Sequence, residues 1–138
     1  MSAKTRRTAG LLIVVLPTFI FGGVSLLSLL IGDQPGYRAN PLRQDLWRAG
    51  HAHAGVLLIL SLTALRYVDE ANLSERAKNA VRGLLPIAAI LLPAAFFLSV
   101  LPPDATEPNA LIYLASLGAV FLAAGLLTLG IGLLRSRD

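Results

Sequence analysis

Four runs of apolar residues, separated by polar turns, organise this 138-residue chain. They cover residues 10–31, 49–68, 81–101 and 110–134, and none carries a charge at its middle. Crossing roughly 30 Å of hydrocarbon takes about 20 predominantly apolar residues in a helix. Each run meets that length. The second is preceded by a polar helical extension that starts at Pro41.

The turns are marked by residues that cannot continue a helix cheaply. Gly32-Asp33-Gln34-Pro35-Gly36 ends the first run. Asn40-Pro41 restarts the chain, with Asn as N-cap and Pro at the first helical position. Residues 69–79 form a charged connector, within which Ser74-Glu75-Arg76-Ala77-Lys78 is expected as a short surface helix. Pro102-Pro103-Asp104 stops the third run, and Pro108-Asn109 opens the fourth. The pattern predicts an all-α polytopic membrane protein. Its four transmembrane helices form one antiparallel bundle, a single domain over residues 1–138.

Composition strengthens that reading. The chain is 55% hydrophobic and 14% charged, against about 25% charged in ordinary soluble domains. A small soluble fold buries too little of its surface to hide so much apolar area. A soluble domain, a disordered chain and a nucleic-acid-binding module are therefore excluded. With no cysteine there is no thiolate metal site, disulfide or thiol chemistry, and the one methionine is Met1.

The net charge of +4 reports orientation. Lys4, Arg6, Arg7, Arg66, Arg76, Lys78, Arg82, Arg135 and Arg137 fall on one side, against Arg38, Arg43 and Arg48 on the other. The positive-inside rule puts both termini in the cytoplasm of a multi-pass plasma-membrane protein. Tyr37, Trp47 and Tyr113 are expected at the outer interface and Tyr67 at the inner one, as an aromatic belt. The basic N-terminus followed by an apolar run resembles a signal peptide. That run is longer than an h-region and lacks an A-x-A site, so an uncleaved first span is expected.

In lipid, helices associate through close approach at small residues. The fourth run carries Gly118, Gly125 and Gly132 on one stripe and Ala115, Ala119 and Ala123 on another. The first has Gly22, Ser25, Ser28 and Gly32, and the second Gly50 and Ala54. Four short spans enclose little interior, so a homo-oligomer, or a subunit of a larger membrane complex, is expected. Pro17, Pro86 and Pro93 favour kinks that neighbouring helices accommodate.

The chemical signal is Trp47-Arg48-Ala49-Gly50-His51-Ala52-His53-Ala54-Gly55, which holds both histidines of the chain. Ionisable residues inside a bilayer are costly and are functional candidates by default. At ~100° per residue, side chains two apart on a helix point about 200° apart. A single regular helix therefore cannot bring His51 and His53 onto one metal ion. A metal site using both needs a distorted helix end or a second subunit, while a five-coordinate haem, or one shared between subunits, stays open, with Arg48 or Arg43 available to pair with its propionates. Ser61 lies too far from the histidines to act as their nucleophile partner.

The residues Arg48, His51, His53 and Gly55, early in a transmembrane helix, resemble the haem-ligand helix of the haem–copper oxidase and nitric oxide reductase superfamily. The resemblance covers one helix. It implies a haem held by His51 or His53, with Trp47 and Arg48 beside it. Three functions are weighed from the residues. The first is a non-catalytic structural or accessory bundle with a histidine site near the outer face and the lipid bilayer as its solvent. The second is a haem- or metal-binding redox protein using His51 or His53, and the third a small channel or transporter subunit.

Overall fold

The computed structural model describes residues 1–136. The chain folds into four helices, α1 (Ala3–Ile31), α2 (Pro41–Val68), α3 (Glu75–Leu98) and α4 (Leu114–Leu134), with a 3₁₀ turn at Ala110–Tyr113 leading into α4. All four are long and apolar enough to cross a membrane.

Local sequence sets the helix starts. Ser2, Asn40 and Ser74 cap α1, α2 and α3, each accepting a backbone N–H three residues on. Asn109 caps the 3₁₀ turn by accepting from the Leu111 N–H. Such caps satisfy donors that a helix start otherwise leaves orphaned. Several boundaries differ from expectation. Helix α1 begins a full two turns before the apolar run, because its basic start is helical as well. Residues 74–78 are the capped first turn of α3, not a separate surface helix. Helix α3 stops at Leu98, before the Pro102-Pro103 pair.

The helices run up and down in sequence. At one end Ser2 bonds Asp69, and Asn72 bonds the Gly132 carbonyl and the Ser136 hydroxyl, so both ends of the described chain meet the α2–α3 connector. At the other end Asn40 donates to the carbonyls of Pro103 and Ala105, tying the α1–α2 connector to the α3–α4 connector. Gly36, with φ 77°, turns tightly there against Pro103.

Helix α3 is the hub, packed on α2 and α4, while α1 leans chiefly on α2. The core joins Ala64, Leu65 and Val68 of α2 to Val81 and Leu85 of α3 and Leu129 of α4. The α4 stripe of Gly118, Gly125 and Gly132 faces inward, against Leu92, Leu85 and Leu73. Its Ala119 and Ala123 stripe faces outward. Helix α1 buries only Thr5, and it presents Val14, Ile20, Phe21 and Ile31 to the surroundings. On α1, Ser25 and Ser28 donate to carbonyls of their own helix.

Candidate functional site

The two histidines do not converge. His51 faces α1, where its imidazole lies against the bare backbone of Gly22 and Gly23. His53 points elsewhere: its Nδ1 lies 2.8 Å from the Ala49 carbonyl, and its ring rests on Phe96, 5.2 Å between centroids. His53 is exposed at the protein surface. Its bond to a carbonyl one turn back is a local structural role.

His51 forms one wall of a groove of about 300 Å³ between α1, α2 and α3. Thr18, Phe19 and Gly22 come from α1, Ala54 from α2, and Ala89, Ile90, Pro93 and Phe97 from α3. Small residues make the space: Gly22 and Ala54 leave the α1–α2 seam open beside the imidazole. Pro93 has no N–H, so the carbonyl of Ala89, another lining residue, loses its usual helical donor. Thr18 turns its hydroxyl to the Val15 carbonyl, and the imidazole is then the one ionisable side chain on the lining. Neither ring nitrogen has a hydrogen-bond partner among the described residues.

The other two residues of the motif divide. Trp47 lies one turn above His51 and is part of an aromatic stack, 5.8 Å from Tyr37 and 6.0 Å from Phe97. Its indole N–H donates to the Phe97 carbonyl at 3.1 Å, and Arg43 covers its face at 4.1 Å. Tyr37 is only 3% exposed. Two of the residues expected in an aromatic belt thus plug the end of the bundle, while Tyr113 is exposed. Arg48 is exposed and takes no part in the groove.

No set of three or more His, Cys, Asp or Glu side chains among the described residues gathers to hold a metal ion. A haem fits poorly as well. The groove supplies one imidazole, and Arg48 is exposed and not among its lining residues. Its volume is at the floor of the roughly 300–1,000 Å³ typical of ligand pockets, room for a single ring more than for a macrocycle.

No known protein family, curated protein or solved structure matches the chain.

A second polar cluster, at the opposite end, escaped sequence reasoning. Arg82 is 6% exposed and is held on several sides. Its Nη2 meets Asp69 at 2.7 Å, its Nε donates to the Thr5 hydroxyl at 2.9 Å, and its Nη1 donates to Asn79 at 2.9 Å. Thr5 in turn donates to Asp69, and the Ser2 N–H reaches the same carboxylate at 2.6 Å. Burial acts to raise the Asp69 pKa. The Ser2 N–H, the Arg82 guanidinium and the Ser2 and Thr5 hydroxyls outweigh it, and hold the carboxyl well below the usual carboxylate range. Asp69 sits at the C-terminus of α2, an unfavourable place for an anion, and at the N-terminus of α1, a favourable one. Counted above as a loop cation, Arg82 is an internal counter-ion. Arg137, in the same count, lies outside the described residues.

Proposed function

We propose that the chain is a small integral membrane protein of non-catalytic, accessory kind, whose His51 groove binds an apolar membrane ligand. It crosses the bilayer four times, with both termini cytoplasmic. The observation that carries this reading is the pairing of four bilayer-length apolar helices with one imidazole, without a hydrogen-bond partner among the described residues, on a largely apolar groove. An acyl-transfer or hydrolytic role has no support, because Ser61 is buried and donates to the Leu57 carbonyl of its own helix. A conduction role has little, since Thr18, Ser61 and Thr63 all spend their hydroxyls on their own helices. The outward Ala119–Ala123 stripe of α4 supports self-association, or docking on a larger complex, through close helix contact.

The absence of native cysteine makes topology directly testable. Single-cysteine variants Arg38→Cys and Glu107→Cys are expected to react with a membrane-impermeant maleimide on intact cells. Arg76→Cys and Lys4→Cys are expected to react only after permeabilisation. Labelling of Arg76→Cys in intact cells overturns the orientation. A Soret band in the purified protein that disappears in His51→Ala overturns the small-ligand reading in favour of haem.

A further inference from the structure

We propose that the His51 groove is a head-group site for an isoprenoid quinone. The inference rests on the membrane reading above and narrows its ligand to one chemical class.

Three features select that class. First, the imidazole is the groove's ionisable side chain and has no hydrogen-bond partner among the described residues, so it is free to donate an N–H to a ligand acceptor. An acyl chain offers no acceptor and would leave this polar group unsatisfied, at a cost. A quinone ring carries carbonyl oxygens, and the reduced ring carries hydroxyls. Second, Pro93 has no N–H to give the Ala89 carbonyl, and both residues line the groove, so a polar backbone group lacks its helical donor close to the imidazole. A hydroxyl of the reduced ring suits that acceptor, as a carbonyl of the oxidised ring suits the imidazole. Third, Phe19 and Phe97 supply aromatic walls, and about 300 Å³ holds one substituted ring. The exposed apolar flank of α1 leaves a route along which an isoprenoid tail stays in lipid.

Trp47 is the one tryptophan in the chain, and it bonds and stacks on Phe97, a groove wall. It is therefore a built-in reporter. Decylubiquinone titrated into the protein in lipid nanodiscs is expected to quench Trp47 fluorescence saturably. In His51→Ala the apparent affinity should fall about five- to tenfold, the share of one hydrogen bond. His51→Gln, which keeps an N–H donor, should recover part of it. Ala54→Leu, which fills the groove, should abolish saturation. Helical circular dichroism on each variant verifies that it is folded. Linear quenching of equal slope in the wild type and all folded variants overturns the proposal. So does full reversal of the saturable quenching by an equal concentration of the alkyl tail without the ring, which would make the groove an acyl-chain seat. Either result leaves the cysteine-labelling topology standing, so failure here is separable from failure of the membrane reading.

Discussion

The imidazole of His51 rests on the backbone of Gly23. A Cβ at position 23 would come within 2.9 Å of Nε2, closer than side chains approach, and 3.1 Å from Cε1, a tight contact. The colliding atoms are the tip of a side chain, so the ring has room to swing away without parting the helices. Gly23→Ala is therefore expected to cost little stability, within about 1 kcal/mol, because alanine also favours the helix. It should nonetheless weaken decylubiquinone quenching of Trp47 as strongly as His51→Ala. Quenching unchanged in Gly23→Ala would show that the ring position does not matter.

The Asp69–Arg82 pair predicts a large effect in one direction and silence in another. Removing one partner of a buried pair strands the other charge, typically at about 3–5 kcal/mol. Asp69 keeps some contact with water, its side chain being 22% exposed, so Asp69→Ala should fall at the low end of that range. The readout is a marked drop in Tm in mild detergent, and Arg82→Met in the same background should recover part of it. The carboxyl titrates lower in the fold than in the unfolded chain. Its contribution is thus complete above the unfolded value near 3.9 and is lost as pH falls through the lower folded value. Stability from this pair should be flat from pH 5 to 8 and decline progressively once the pH falls below about 4.

Asn40 ties two connectors while capping a helix. Its Oδ1 accepts the Arg43 N–H at 3.1 Å, and its Nδ2 donates to the carbonyls of Pro103 and Ala105 at 3.1 and 2.9 Å. Asn40→Ala removes the cap, worth about 1 kcal/mol, and the bonds to the facing loop. Asn40→Asp keeps the cap and loses the donor. Melting should rank wild type above Asn40→Asp and Asn40→Asp above Asn40→Ala. Equal losses in both variants would mean that the link to Pro103 and Ala105 carries the whole effect.

Much of this was legible in the chain. Apolar length gave the four helices, and Asn40-Pro41 gave the start of α2 with its cap and its N1 proline. The motif around His51 was legible as a place, and the divergence of its histidines followed from helix geometry. Their surroundings were not. That His51 meets α1 at Gly22–Gly23, and that Trp47 turns inward to Phe97, depends on how three helices rotate about their axes. No period in a nearly uniform apolar helix sets that rotation. The Arg82 cluster was hidden for a different reason. Thr5, Asp69 and Arg82 are far apart in sequence, and an arginine at a membrane end reads as a solvated charge. The signal available was an aspartate following α2 and an arginine at the very start of the next apolar run, a pairing that only antiparallel packing creates.

The glycines of α4 separate packing from composition within one helix. A Cβ on Gly118 would stand 3.0 Å from Leu92 Cγ and 3.2 Å from the Leu92 backbone nitrogen, so α3 itself must yield. Overpacking of this kind costs about 1–3 kcal/mol. Gly130 has nothing within 4 Å, so an alanine there fills open space. Alanine is the better helix former by about 1 kcal/mol. Gly118→Ala should lower the Tm in detergent, while Gly130→Ala leaves it unchanged or raises it. The difference between them measures the α3–α4 contact, because both substitutions make the same chemical change on the same helix. Equal shifts would mean that α3 and α4 do not pack through the Gly118 seam.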